Sequence, residues 1–280
     1  NYKVYKNTMM NFAFKGTDFE AHPFFEAASM RKVREKYYFI YSSQQNHELC
    51  YAVSDYPDCD FKFGGTIVSN GDVGYNGRKS EDRLNMTGTT HGSIENINGS
   101  WYVFYHRLTH KSDYSRQACA EPIVIEKDGS IAQVEITSCG LNGGPLKADG
   151  KYPAVIACNI TNGHMPHGSN SIYSVSFPNV NHRGDDRFVA EIKDGTMLGY
   201  KYFEFNGDEG FGVTLRGGGS GKIIVKDEES VIGEITVSPS DEWKEFKCDL
   251  SVSTGKHPLF LHYAGNGEIE ILSIEFFGRN

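Results

Sequence analysis

Glu26 is the residue whose setting in this sequence first points to chemistry. It lies in the segment FFEAASMRKVREKYYFIYSS (24–43), after two phenylalanines and before a run of small residues. A carboxyl group in such an apolar, strand-like segment either serves the structure, by pairing with Arg31 or capping a turn, or donates a proton to a reacting group. The residues alone leave both roles open, so the choice depends on the elements that position Glu26.

Composition narrows the classes of function. The chain has 280 residues and a formal net charge of −8, which gives little support to a nucleic-acid or anionic-membrane partner. Aromatic residues make up 13% of the chain and glycine contributes 31 residues, a mixture typical of β-rich proteins with many tight turns. Acidic, aromatic-rich β proteins often bind sugars, because sugar faces stack on rings and sugar hydroxyls bond carboxylates. Composition therefore favours a carbohydrate partner.

The cysteines and the chain start bear on the compartment. The six cysteines form no CxxC pair, which disfavours a zinc or redox motif. Cys50 and Cys59 flank the turn-like SDYPD, and the spacing fits either a disulfide or buried free thiols. No 18-residue apolar window and no signal peptide are visible. The sequence does not begin with methionine, so we expect a processed or truncated start. We expect a secreted or periplasmic protein, with a cytoplasmic location left open.

Short strands dominate the local pattern. They are β-branched or aromatic runs separated by Gly, Asn, Asp or Pro, and no 3.6-residue apolar pattern longer than ten residues occurs. The runs are KYYFIYSS, LCYAVS, SWYVFYHR, EPIVIE, QVEIT, GKIIVKD, IGEITV and IEILSIEFF. The sequence therefore predicts an all-β fold.

A repeat organises the first half of the chain. REKYYFIYSS (34–43) aligns with NGSWYVFYHR (98–107) at an offset of 64 residues. A serine-containing segment precedes each run, and two further strands follow it, ending with FKFGGTIVS in the first unit and AQVEITS in the second. Four strands per unit, repeated, are typical of β-propeller blades, although two aligned aromatic runs also occur in sandwiches. We expect two four-stranded blades, with Glu26 and His91 on innermost strands.

A boundary is expected near SCGLNGGPLKADGKYP (138–153), which is rich in Gly and lacks alternation. After it, about six strands follow one another in some 80 residues, the spacing of a β-sandwich. We therefore expect a propeller part over 1–145 and a β-sandwich of the jelly-roll type over 146–280.

The first half resembles glycoside hydrolase family 43. FFEAASMRKVREKYYFIYSS, ELCYAVSD, IVSNGDVGYN, TGTTHGSIENINGSWYVFYHRLTH and YSRQACAEPI carry the resemblance in family order, over about residues 20–140. It implies a five-bladed β-propeller in which the first strand of each blade lines the sugar-binding axis. It also implies an inverting hydrolase of the α-L-arabinofuranosidase or β-xylosidase type, acting on arabinose- or xylose-containing polysaccharide or oligosaccharide.

Site residues follow from that resemblance. Glu26 falls where the family places the general acid, and His91 matches a histidine near the axis that contacts the substrate region or, in some members, a calcium ion through waters. Arg116 matches an arginine that reaches the sugar subsite. Asp72 and Arg107 are weaker substrate-binding candidates. For each of the last four residues, a structural or surface role is the alternative.

The resemblance is incomplete. Five blades of about 64 residues need roughly 300 residues, and only about 145 precede the boundary. The family's base aspartate and a second, pKa-modulating aspartate lie in blades before the acid and have no match here. We therefore expect the propeller to be completed by an N-terminal part of the same enzyme, as a separate chain, a cleaved piece or a missing segment.

The second half resembles carbohydrate-binding module family 6. IKDGTMLGYKYFEFNG and GEITVSPSDEWKEFKCDLS carry this match. It implies an aromatic pair that clamps a sugar ring, here Tyr200 and Trp243, with core packing of both rings as the alternative. The asparagine that often completes the site has no clear match.

Three functions compete at this point. The first is a glycoside hydrolase with Glu26 as its acid. The second is a non-catalytic carbohydrate-binding protein. The third is a structural subunit that completes the propeller of another chain.

Overall fold

The computed structural model describes residues 15–168, 175–228 and 230–278, and its regular structure over those ranges consists of strands β1 to β19 and short 3₁₀ turns. The expected all-β class is confirmed. The expected domain limits at residues 1 and 280 lie outside the described residues.

The first blade is a four-stranded antiparallel sheet in chain order. Aromatic and β-branched side chains alternate along it, so that Tyr38 and Ile40 face one way while Phe39 and Tyr41 face the other, and all four are buried. The strands are β1 (Phe24–Val33), β2 (Lys36–Ser43), β3 (Glu48–Ser54) and β4 (Lys62–Ser69).

The second blade has three strands, not the four that the repeat predicts. They are β5 (Ser93–Ile97), β6 (Ser100–Thr109) and β7 (Ser112–Ile123). The expected fourth strand, AQVEITS (132–138), does not pair with β7. It crosses toward the first blade, where Val134 N donates to Ile67 O at 2.8 Å and Ile136 N donates to Asp72 Oδ1 at 2.8 Å. Ile131 and Ile136 are buried in the core between the two blades, which explains the crossing.

The innermost strands β1 and β5 bring equivalent residues of the repeat into contact. Ser29 Oγ and Ser93 Oγ share a hydrogen bond of 2.8 Å, and Arg31 pairs with Glu95 at 3.5 Å. Each pair is separated by 64 residues, the offset of the repeat. Equivalent positions of two blades touch only near their common axis, because blades diverge with distance from it. The two blades are therefore arranged as a propeller predicts.

The rest of the chain forms a β-sandwich of two six-stranded sheets. One runs β10-β13-β18-β15-β16 with β8 beside β13, and the other runs β11-β12-β19-β14-β17 with β9 beside β19. The six strands expected from the sequence correspond to β13 (Met197–Phe205), β14 (Glu209–Gly217) with β15 (Ser220–Asp227), β16 (Ser230–Val237), β17 (Ser240–Leu250), β18 (Gly255–Asn266) and β19 (Ile269–Phe277).

Five shorter strands of the sandwich have no counterpart in the sequence prediction. They contain few consecutive apolar residues, so periodicity does not reveal them. They are β8 (Leu146–Lys147), β9 (Gly150–Pro153), β10 (Asn159–Thr161), β11 (Asn179–Arg183) and β12 (Asp186–Ile192).

A buried ionic contact joins the first blade to the sandwich. Lys201 Nζ lies 3.2 Å from Asp72 Oδ2 and 2.8 Å from Glu135 Oε1. The Asp72 side chain is 2% exposed and that of Lys201 6%. A buried charge costs free energy unless it is paired, so each of these two residues requires the other.

All six cysteines lie in the described ranges and are free thiols, with Cys50 buried and Cys59 exposed. Of the two alternatives that the sequence leaves open for this pair, the free-thiol one is observed, although burial was expected for both thiols and holds for Cys50 only. In the part of the chain that the structure describes, no helix has the length and apolar character needed to cross a membrane.

Removing the Lys201 cation, which pairs with Asp72 between the first blade and the sandwich, is expected to destabilise the chain strongly. Lys201→Met leaves Asp72 buried without its partner, so the free energy of unfolding should fall by about 3–5 kcal/mol. The double variant Lys201→Met with Asp72→Asn should recover part of that loss, because the carboxylate that then lacks its cation is Glu135, whose side chain is 22% exposed and not fully buried. Urea unfolding of the full chain measures both variants. A single-variant loss below about 1 kcal/mol would contradict the assignment.

Glu121 on β7 should make stability depend on pH. Its carboxyl is 1% exposed and accepts hydrogen bonds from Thr137 N and Tyr105 Oη, and burial raises its pKa from 4.5 to about 7. Between these two values the folded chain keeps a proton that the unfolded chain releases, so the free energy of unfolding falls as pH rises. The loss attributable to Glu121 is on the order of 3 kcal/mol.

The measurement is urea unfolding at pH 4.5 and pH 7.5, with Glu121→Gln as the comparison. The glutamine keeps the shape of the side chain but does not titrate, so the variant should lose less stability over this interval. Parallel pH profiles for the two proteins would show that Glu121 is ionised when buried.

Candidate active site

Glu26 lies at an irregularity of the innermost strand. It pairs with Ser42 of β2, and the register of β1 shifts on both sides of it, between Phe24 and Glu26 and between Glu26 and Ser29. Such bulges re-aim a side chain away from the regular alternation of a strand. The Glu26 side chain is 43% exposed, so the bulge presents this carboxyl group at the surface near the axis.

His91 contacts Glu26 directly. Its Nε2 lies 2.9 Å from Glu26 Oε1, within hydrogen-bond distance, and its side chain is 32% exposed. His91 lies two residues before β5, not within it. Its backbone is held on both sides, since Ser42 Oγ donates to Thr90 O and Gly92 passes so close to the carbonyl of Phe104 that a Cβ there would collide with it. Glu26 is on an innermost strand as expected, whereas His91 lies just before its strand, and the direct contact between them was not predicted.

His106 is a third member of this site, which the sequence analysis missed. Its ring meets the His91 ring edge-on with centroids 5.2 Å apart, and among the described residues neither of its ring nitrogens has a hydrogen-bond partner. Burial, together with the nearby charges of Arg116 and His91, lowers its pKa to about 4. His106 is therefore neutral at physiological pH.

In the structure, the β5–β6 register pairs Ser93 with Phe104, and continuing it by two residues places His91 opposite His106. The sequence carries a related signal. The 64-residue offset also aligns His106 with Ser42, the residue that pairs with Glu26.

Arg116 lies at the edge of this cluster. It is on β7, its side chain is exposed, and its Nε donates to Asp113 O at 3.3 Å. Its charge reaches His106, as the pKa of that ring shows. Arg31, the expected structural partner of Glu26, instead bonds Ile94 O and Ser29 Oγ and pairs with Glu95. The arginine alternative for Glu26 is therefore not observed.

Two of the expected substrate-binding residues are placed elsewhere. Arg107 is 6% exposed, and its guanidinium donates to Gln117 Oε1 and to the carbonyls of Val155 and Ala157. Asp72 accepts from Ile136 N and pairs with Lys201. Both residues join the propeller part to the sandwich, and buried polar groups with such complete partners support structure rather than sugar binding.

The expected aromatic clamp of the sandwich is also not formed. Tyr200 is fully buried in the sandwich core and its hydroxyl donates to Ala154 O at 3.2 Å. Trp243 lies on the other sheet, where Asp186 accepts its indole N–H at 2.8 Å and Arg216 covers its ring face at 4.0 Å. The two rings therefore cannot enclose a sugar between them, and the packing alternative is the one that the geometry supports.

The surroundings of His91 do not make a calcium site by themselves. Calcium takes six to eight oxygen ligands, whereas the contacts of His91 are the Glu26 carboxyl group and the His106 ring. The imidazole itself is a nitrogen ligand, which suits calcium poorly. We derive no step through a metal at this position.

Tyr200→Phe should test the reassignment of Tyr200. The variant loses one buried hydrogen bond, so the free energy of unfolding should fall by about 0.5–1.5 kcal/mol. Retention of the chain on arabinoxylan in affinity electrophoresis should not change, because the hydroxyl is buried. Reduced retention with unchanged stability would return Tyr200 to a sugar site.

Known proteins support the resemblance found in the sequence. No protein-family model matches the chain. A xylosidase/arabinosidase from Thermoclostridium stercorarium is 42% identical over 275 residues, covering 92% of this chain and 57% of that relative. A family 43 arabinoxylan arabinofuranohydrolase from Bacillus subtilis, solved with cellotetraose, is 18% identical with a TM-score of 0.46, covering 91% of this chain and 54% of that one.

The sandwich has its own neighbour. A family 6 carbohydrate-binding module from Clostridium cellulolyticum, solved with xylose, is 19% identical with a TM-score of 0.38, and it covers 46% of this chain and 98% of the module. The chain spans 57% of the length of the xylosidase/arabinosidase that it matches. Over that span, the chain is similar to part of a xylosidase/arabinosidase.

Proposed function

We propose that this chain supplies the general-acid side of the active site of an inverting glycoside hydrolase, with Glu26 as the acid. The substrate class is arabinose- or xylose-containing polysaccharide or oligosaccharide, and the activity is of the α-L-arabinofuranosidase or β-xylosidase type. The supporting observation is the 2.9 Å contact between Glu26 and His91, on the innermost part of two neighbouring blades.

The geometry suits proton donation. Glu26 is partly exposed, so a glycosidic oxygen has access to its carboxyl group, and the bulge in β1 fixes its direction. His91 bonds one carboxyl oxygen and leaves the other for the substrate. A proton donor must lie within hydrogen-bond reach of the departing oxygen, and a carboxyl group held by one partner meets this need.

His91 is proposed as a positioning residue in this mechanism. Its ring lies between the Glu26 carboxyl group and the neutral ring of His106, which limits its rotation. The charge of Arg116 helps to lower the pKa of His106, so the ring next to His91 stays neutral. Calcium has no step in this proposal.

The catalytic base is proposed to lie in a part of the enzyme that this sequence does not contain. Inverting enzymes hold the two carboxyl groups about 6.5–9.5 Å apart to leave room for water. We propose that an N-terminal part of the same enzyme supplies the base and the remaining blades, as the relatives' greater length suggests. The first blade supports this, since Phe25 and Met30 on β1 are 49% and 36% exposed.

The other two functions lose support. A carbohydrate-binding protein without activity gains nothing from the expected Tyr200–Trp243 clamp, because one ring is buried and the other is covered by Arg216. A purely structural subunit leaves the exposed Glu26–His91 pair without a purpose. A polysaccharide substrate, which does not cross membranes, would place the protein in the periplasm or outside the cell, whereas an oligosaccharide substrate leaves a cytoplasmic location open.

The test is Glu26→Gln in the whole enzyme that contains this chain. Protonation matters most where the departing oxygen is most basic, so hydrolysis of arabinoxylan oligosaccharides should fall by about 10²–10⁴-fold. An aryl glycoside with an acidic phenol should lose much less, because its leaving group departs with little protonation. Steady-state kinetics on both substrates measures this contrast.

Glu35→Gln is the matched control, because Glu35 is a carboxylate in the β1–β2 turn with a 94% exposed side chain. It should leave both rates unchanged. An equal loss on the two substrates for Glu26→Gln, or no loss, would mean that Glu26 is not the proton donor.

A further inference from the structure

A second cluster of chemically active side chains lies on the first blade, apart from Glu26. It consists of His22, just before β1, and of Glu48 and Cys50 on β3. Glu48 and Cys50 are two residues apart on one strand and therefore share a face. One ligand atom from each of the three residues lies within 4.8 Å of the others.

Glu48 is buried without a permanent cation. Its side chain is 5% exposed, and within residues 15–168, 175–228 and 230–278 its one ion-pair partner is His22, at 2.7 Å. A buried carboxylate normally needs a positive partner, and histidine supplies one only when protonated. A bound divalent ion would meet this need at any pH at which the ligands are deprotonated.

The carboxyl group of Glu48 is held in place by two hydroxyls. Ser43 Oγ donates to Oε1 at 2.6 Å and Thr66 Oγ1 donates to Oε2 at 2.9 Å. Hydrogen bonds of this kind orient the ligands of metal sites, and their loss typically weakens metal binding. His22 is held as well, since its carbonyl accepts from Tyr41 Oη at 2.8 Å and its ring stacks on Phe63.

An entry path is present. A cavity of about 510 Å³ is lined by His22, His47, Glu48 and Thr66, among others, and it opens to the surface. Cys50 lies behind these residues and is fully buried. An ion that enters through the cavity would meet His22 and Glu48 first and would keep one position open toward solvent.

The types of the three ligand atoms indicate which metal would fit this cluster. One sulfur, one imidazole nitrogen and one carboxylate oxygen suit zinc, whereas calcium and magnesium prefer oxygen ligands alone. Three protein ligands and one water make up the four-coordinate open zinc site. The CxxC rule misses this set because its ligands come from three residue types and two segments of the chain.

We propose that His22 Nδ1, a Glu48 carboxylate oxygen and Cys50 Sγ bind one zinc-type divalent ion, with a water from the cavity as the fourth ligand. On binding, the Cys50 thiol releases its proton to solvent. The proton shared by His22 Nδ1 and Glu48 also leaves Nδ1, so that their 2.7 Å contact is replaced by two bonds to the metal. The ion would hold the segment before β1 against β3. In that segment, His22 lies four residues before Glu26. The site does not rest on the proposed hydrolase activity.

The experiment uses the full chain, freed of metal with EDTA and titrated with Zn²⁺ by calorimetry and with Co²⁺ by absorbance. We expect one ion per chain and a near-ultraviolet charge-transfer band, which reports a thiolate bound to cobalt. Cys50→Ser should abolish the band. Thr66→Val, which removes one hydroxyl held against Glu48, should keep the band and weaken zinc binding by about 10–100-fold.

Two cysteine variants serve as matched controls. Cys158→Ser changes another buried thiol, and Cys59→Ser changes the exposed thiol beside Asp58 and Asp60. Neither should alter the band or the affinity. Circular dichroism checks that each variant is folded, and Thr66→Val keeps the test decisive if Cys50→Ser does not fold.

Three outcomes would overturn the proposal. The first is the absence of stoichiometric binding at micromolar zinc. The second is a cobalt band that survives Cys50→Ser and disappears in Cys59→Ser, which would place the ion at the exposed thiol. The third is an unchanged zinc affinity in Thr66→Val.

Discussion

The contact between equivalent residues of β1 and β5 is the constraint on which the candidate active site depends. Ser29 meets Ser93 across this contact, and Arg31 meets Glu95 one step further along. These pairs fix the two innermost strands against each other, and the same juxtaposition carries Glu26 to His91 at the exposed end. Glu26 is on β1 itself and His91 lies two residues before β5, so the contact between the two strands holds both side chains close together.

Polar residues between the propeller part and the sandwich join these two parts of the chain and are not members of the candidate active site. Arg107 bonds backbone carbonyls of the segment that leads into the sandwich, and Asp72 pairs with Lys201 of β13. Both side chains are buried and fully engaged, so they fix the orientation of the two parts. The sandwich thereby supports the second blade, which carries His91 and His106.

The sequence predicted the features that have a strong period or a strong repeat. The aromatic runs predicted β2 and β6, and their 64-residue offset predicted that the segments of Glu26 and His91 would lie near a common axis. Side-chain roles at the junction were not predictable, because Arg107 and Asp72 have the same residue types whether they bond a sugar or a neighbouring backbone. Apart from Gln117, the partners named for these two residues lie 48 to 129 positions away, which local pattern does not reveal.

Two further errors have the same physical origin. AQVEITS has strand-like alternation, but its apolar residues fill the core between the blades, so it leaves β7 and crosses to the first blade. Tyr200 lies in a strand that is rich in aromatic residues. Both sheets of the sandwich are apolar on their inner faces, and the sequence alone does not tell which face of this strand is buried. Tertiary burial decided both cases against the local pattern.

The most direct test of the central claim is a crystal structure of the whole enzyme, carrying Glu26→Gln, with an uncleaved arabinoxylan oligosaccharide bound. The account predicts that the side chain at position 26 lies about 2.6–3.2 Å from the glycosidic oxygen of the bond to be cleaved. It also predicts that His91 still contacts that side chain. A sugar bound on the axis with its glycosidic oxygen beyond the reach of residue 26, or next to another carboxyl group, would contradict the assignment of Glu26 as the acid.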